Sequence, residues 1–257
     1  MAIDEFPYLL EEDASIASIL QSHWDTTLNG MNITLILSGS SIGMVEKGIL
    51  GGKSPLYGRR TGQILLGPFS FETLLSYIGD FKKAVGVYSV FGGTPAYIKE
   101  YNKKTSLIEN IKQLIARQDA FMHNDVEFLL RTELREPRYY FAILKSIAKG
   151  NTKFAKIIND TGISKSIVSK YLAILENMML VKRKIPVTEN VLRSRNGIYI
   201  INDNFIDFWF RYIYAQDQNI STKNLLTFID NDLNNYISGN LRIYAEGPLW
   251  RSEITKT

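Results

Sequence analysis

The chain has no cysteine in its 257 residues. That absence removes disulfide frameworks, thiolate metal sites and cysteine nucleophiles together, and it fits a reducing cytosol. Histidine is nearly missing as well: His23 and His123 are the only two, too few for a histidine-built metal cluster. No apolar run reaches the ~18 residues that a membrane span requires. The N-terminus lacks the basic start and small-residue cleavage site of a signal peptide. These absences predict a soluble, cytoplasmic protein with no membrane partner. What is present, 45% hydrophobic and 12% aromatic residues, is enough to bury a core in two or three domains.

Acidic residues are scarce in one region. Between Arg138 and Arg195 there are 12 Lys or Arg against 3 Asp or Glu, a net of +9, which leaves a net of −5 for the rest of the chain. The basic character therefore belongs to one segment. Its apolar spacing reads as a winged helix. One helix runs from Tyr139 to Ala148, a second carries Phe154, Ala155, Ile157 and Ile158, and Thr161 and Gly162 make the turn. A third helix starts with Ser164 as its N-cap and buries Val168, Leu172 and Leu175. Lys165, Ser166, Ser169 and Lys170 fall on its open face. Val181 to Val187 and Gly197 to Ile201 are the wing strands, with Arg193 and Arg195 in the loop between them. A net of +9 on such a fold suits DNA phosphates, with the third helix in the major groove. The alternative is a winged helix that serves as a lid or a protein contact.

The first forty residues hold a second site. Asp4 and Glu5 follow a short apolar strand, and the β-branched run Ile33 to Leu37 stops at Ser38, Gly39, Ser40 and Ser41. In an open parallel sheet, both polar sets would lie at the carboxyl ends of the strands, where ligands bind. Asp4 is the expected magnesium ligand, since that ion takes one or two carboxylates and keeps its water shell. Glu5 would activate the water that attacks a γ-phosphate, and Ser38 would position it. Between the two strands, Ile16, Ile19 and Leu20 predict an amphipathic helix ending near His23 and Trp24.

Two patterns imitate other chemistry. Gly39 to Gly43 spells G-S-S-I-G, the outline of an esterase nucleophile elbow at Ser41, but the one later histidine, His123, has nothing that marks it as a strand-end base. Gly48 to Ser54 resembles a phosphate loop, yet Lys47 stands where that motif needs glycine. A surface loop is the better reading.

Six stretches, in order, carry a family resemblance: I-D-E-F-P-Y-L, L-I-L-S-G-S-S-I-G-M, L-Y-G-R-R-T, V-F-G-G-T-P-A-Y-I, E-L-R-E-P-R-Y-Y-F-A-I-L and F-I-D-F-W-F-R-Y. From Asp4 to about Asp203 the chain resembles the archaeal ATPase family, P-loop proteins of the STAND and AAA+ type with a winged helix and a nuclease-like tail. The resemblance implies an ATP-binding protein of α/β class. Its parts would be a partial P-loop NTPase core over 1–85 with Walker B and sensor 1, a helical lid over 86–136, a winged helix over 137–203 and the start of a nuclease-like, DUF234-type domain over 204–257.

The resemblance also implies roles. Arg59 and Arg60, ahead of a strand expected over Gln63 to Leu66, would neutralise charge on a γ-phosphate, the alternative being solvated loop arginines. Gly92, Gly93 and Pro95 resemble the lid motif against which adenine packs, the alternative being an ordinary helix start. ATP and Mg2+ are the implied cofactors, with DNA, self-association or an ATPase partner as implied partners. The family's Walker A loop precedes the acidic strand, and here only Met1, Ala2 and Ile3 stand before Asp4. A truncated member with impaired or no hydrolysis is therefore expected. The E-x-K signature of the nuclease-like domain is missing, with Arg242 in place of a glutamate, so no nuclease activity is expected. The asparagine-rich residues 215–257 read as a weakly periodic, poorly packed tail. The runner-up is a winged-helix, nucleic-acid-binding regulator with a vestigial nucleotide site.

Overall fold

The computed structural model describes residues 1–39, 45, 49, 51–134, 136–186, 188, 196–216, 220–245 and 250–252. The chain divides into two compact units, 1–66 and 67–257.

The first unit is built on two short parallel strands, β1 (Ala2–Ile3) and β2 (Ile36–Leu37), paired Ala2 to Ile36 and Ile3 to Leu37. Between them run α1 (Phe6–Glu12) and α2 (Ser15–Thr26). Pro7 sits at the start of α1, where its missing N–H costs nothing. Among the described residues a P-loop core is not seen. Among the described residues this unit's sheet has two strands of two residues each. The strand expected over 33–37 is laddered only at Ile36 and Leu37. Residues 63–66, expected as a further strand, lie outside any ladder, with Ile64 85% and Leu66 89% exposed. An apolar run becomes a strand only where a neighbour pairs its backbone and covers its side chains, and no described neighbour does so.

The second unit is mostly helical. α3 (Phe71–Ile78) is capped by Ser70, whose hydroxyl accepts from Thr73 N, and ends at Gly79. α4 (Phe81–Phe91), capped by Asp80, is buried along most of its length. α5 (Pro95–Glu100) follows, then α6 (Leu107–Ile111), which widens into a π turn over Lys112–Ala116, and α7 (Asp125–Glu133). Ahead of α7, residues 121–124 form a turn, pinned where Trp209 Nε1 donates to His123 O at 2.6 Å.

The winged helix is α8 (Pro137–Ala148), α9 (Phe154–Thr161), α10 (Lys165–Asn177), β3 (Val181–Pro186) and β4 (Ile198–Ile201). β3 and β4 pair antiparallel from Val181–Ile201 to Lys184–Ile198. A bridge from Lys153 to Ile198 adds the stretch before α9 to the sheet.

The aromatic run becomes α11 (Asn204–Phe208) and a π turn over Trp209–Ile213, with Phe205, Phe208, Trp209, Phe210 and Tyr212 all buried. The expected loose tail is corrected by α12 (Thr222–Ala245), a 24-residue helix. Leu225, Ile229, Leu233 and Tyr236 are buried at 4-4-3 spacing and pack on α4 and the two π turns. A helix held by one narrow stripe leaves Asn224, Asn231, Asn234 and Asn235 to solvent and looks aperiodic to the eye. The short β5 (Trp250–Ser252) pairs antiparallel with β3. Among the described residues, no helix is long and apolar enough to cross a membrane.

Candidate nucleic-acid interface

Two helices and the sheet set the presentation of α10. Val168, Leu172 and Leu175 are fully buried against α8, α9 and β3. Tyr171, on the same face, donates to Glu136 Oε2 at 3.0 Å. Glu136 itself has φ 55 and precedes Pro137, the first residue of α8, so the E-L-R-E-P-R stretch ties the entry of α8 to the middle of α10. With one stripe anchored, the opposite stripe must face outward. Lys165, Ser166, Ser169 and Lys170 are all exposed on it.

The turn into α10 differs from expectation in one detail. Gly162 closes α9 with φ 66, and Ser164 holds the N-cap position in an extended conformation. Its hydroxyl, however, makes no capping bond and lies 3.3 Å from Ser166 Oγ. The first-turn N–H groups therefore lack a side-chain acceptor from Ser164. Lys149, Lys153 and Lys156 are also exposed, around the start of α9. Arg193 and Arg195, expected in the wing loop, lie outside the described residues.

The residues read as a nucleotide site divide into groups. Asp4 and Ser38 do come together: Ser38 Oγ donates to Asp4 Oδ1 at 2.6 Å, across the paired carboxyl ends of β1 and β2. The Ser38 hydroxyl and the Glu5 backbone N–H hold the Asp4 carboxyl below the usual carboxylate range. Glu5 adopts φ 51 at the start of α1. Arg59 does not reach this pair. Its guanidinium is engaged by Asp25 in two bonds of 2.8 and 2.7 Å. Arg60 donates to Gln63 Oε1 at 2.5 Å. Ser40 and Ser41 lie outside the described residues.

Gly92 and Gly93 are corner residues of the second unit, and Pro95 begins α5 as expected. The close approach they allow is made by the chain itself. A Cβ at Gly93 would meet the Phe69 backbone, and one at Gly92 would lie 3.3 Å from Asp203 Oδ2. The corner against which adenine packing was implied is approached by Phe69 and Asp203 of the chain itself. Among the described residues, no three His, Asp or Glu side chains are grouped to hold a metal ion. Asp4 retains Oδ2 for a hydrated magnesium ion, which fits a single-carboxylate ligand, but the described residues provide no glycine-rich cradle for phosphates beside it.

A set of polar residues escaped the sequence reading. Asp207 and Arg211 stand one helical turn apart inside the aromatic F-I-D-F-W-F-R-Y run. Burial pushes the Asp207 carboxyl up to about 6, against the pull of its bond from Tyr236 and of Arg211. Arg211 bonds Asp232 at 3.0 Å. Two charges at i, i+4 in an otherwise apolar helix were the available signal.

Comparison with known proteins agrees with the α8–β3 geometry. A family model described as "Bacterial regulatory protein, arsR family" matches residues 141–183, from the first turns of α8 to the first residues of β3. The chain is also 37% identical over 214 residues to the uncharacterized protein MJECL04 of Methanocaldococcus jannaschii, a match that covers 82% of this chain and 48% of that relative. The chain thus spans about half the length of the curated relative it matches. Neither match carries an ATPase name. Residues 141–183 form a winged helix-turn-helix similar to those of arsR-family regulators.

Proposed function

We propose that this chain is a DNA-binding regulator that docks α10 in the major groove. One observation carries the reading: the sequence's concentrated positive charge is displayed as Lys165 and Lys170 on the outer face of α10, the second helix of the helix-turn-helix pair inside the arsR-family match. Phosphate contacts would fix its position on the duplex, and the exposed Ser166 and Ser169 would reach base edges or phosphates between the two lysines. Fluorescence anisotropy with a mixed-sequence duplex tests this. Binding that weakens steeply with salt supports it, and no binding at about 50 mM salt, where phosphate contacts are strong, defeats it.

A nucleotide site at Asp4 is the second reading, supported by the Asp4–Ser38 bond at the paired strand ends. On this reading Asp4 would hold hydrated Mg2+ beside ATP. Hydrolysis of labelled ATP that disappears in Glu5→Gln would support it. No turnover and no ATP binding by the chain would remove it.

A further inference from the structure

The first unit, residues 1–66, buries very little of itself. Among its described residues the buried side chains are Phe6, Pro7, Ala17 and Leu56, whereas Leu9, Ile19 and Ile36 stand exposed. A unit of this length with so small a core is marginal alone, and such units are commonly completed by association.

Its sheet is open as well. Ile36 N donates to Met1 O at 2.9 Å and Ser38 N to Ile3 O at 3.0 Å, so the alternation of a strand turns the main chain of Leu35 and Leu37 away from β1. Among the described residues no hydrogen bond engages those outward groups. An edge of this kind is a template for another strand.

The same unit carries an apolar segment without a ladder. Residues 63–66 form neither helix nor strand, and Ile64, Leu65 and Leu66 are 85%, 62% and 89% exposed. Consecutive apolar residues give an extended segment two apolar faces, the composition of a strand covered on both sides within a sheet. Pro68, which has no N–H, limits how far a ladder can run beyond it.

We infer that two copies of this chain associate through their first units, residues 63–66 of each lying along the β2 edge of the other. What selects a second copy over another polypeptide is that one chain holds both halves of the joint, an open edge and an apolar segment, which do not pair within it. Exchanged between two copies, both halves are satisfied twice around a twofold axis, and the assembly closes at a dimer. The main chain of 63–66 would take up Leu35 and Leu37, and its side chains would cover Ile36. None of this depends on the DNA reading.

Size exclusion with light scattering on the full chain, without DNA, tests it. The mass of two chains is expected at about 100 μM, a concentration that reveals even weak dimers. Leu65→Glu with Leu66→Glu should raise the dimer dissociation constant tenfold or more and leave the helical circular dichroism unchanged, since both side chains are exposed in the single chain. Phe128→Glu, at an exposed apolar position of α7, should leave the dimer intact. The chain lacks cysteine, so Leu37→Cys and Leu65→Cys report the joint directly: oxidation of the two variants mixed should link unlike chains in preference to like ones. The mass of one chain at that concentration overturns the inference, whatever other strand the edge accepts. So does a dimer that keeps its affinity in the double glutamate variant, one weakened as much by Phe128→Glu, or disulfides that join like chains as readily as unlike ones.

Discussion

Gly93 and Phe69 leave no room for another atom between them. A Cβ on Gly93 would lie 2.1 Å from the Phe69 carbonyl oxygen, and Phe69 N donates to Gly93 O at 2.8 Å. This contact pins the stretch before α3 onto the corner between α4 and α5. Gly93→Ala must push backbone against backbone, so a loss of about 3 kcal/mol is expected, the upper end for overpacking. The urea midpoint measures it, and a midpoint equal to wild type would show that the corner is looser than described.

Asp207 gives the stability a pH dependence. Burial raises its carboxyl to about 6 in the folded chain against 3.8 as the ordinary value, with Tyr236 and Arg211 opposing the rise and Asp203 adding to it. The unfolded chain therefore releases this proton at lower pH than the folded one. Its contribution is present in full below about pH 4 and is lost as the pH rises through about 6. Burial raises the Asp203 carboxyl in the same direction. Asp207→Asn should flatten this decline, as read by urea midpoints across the range from about pH 4 to about pH 7. A wild-type decline preserved in Asp207→Asn would assign the dependence to other groups.

Ile229, fully buried in the middle of α12, tests whether the C-terminal helix belongs to the core. Ile229→Ala should cost about 2–5 kcal/mol, whereas Asn234→Ala on the exposed face should stay within about 0.5 kcal/mol of wild type. Equal, small effects in thermal unfolding would mean that α12 contributes little to the folded unit.

The winged helix was readable because each of its helices repeats apolar residues at helical spacing, and α9 turns at Gly162. Val168, Leu172 and Leu175 announce a buried stripe, and that same stripe dictates that Lys165 and Lys170 face out. The pairing of β1 with β2, and so the meeting of Asp4 with Ser38, was legible from two apolar runs ending in polar residues. What failed was inference from local composition to tertiary packing. Ile64, Leu65 and Leu66 have strand composition, but pairing is supplied by neighbours that a local window does not contain. The glycines at 92 and 93 signalled a close approach correctly, without saying that Asp203 and Phe69 are what approaches. Residues separated by more than a hundred positions, such as Tyr88 and Asn204, which share a 2.7 Å hydrogen bond, leave no trace in any local pattern.

The most direct measurement compares how duplex affinity depends on salt in wild type and in the Lys165→Ala, Lys170→Ala double variant. If both lysines displace counterions from phosphates, the slope of log K against log salt should become shallower by about 2, with affinity falling alike for unrelated sequences. A double variant that keeps the wild-type slope and affinity would mean that α10 does not meet DNA.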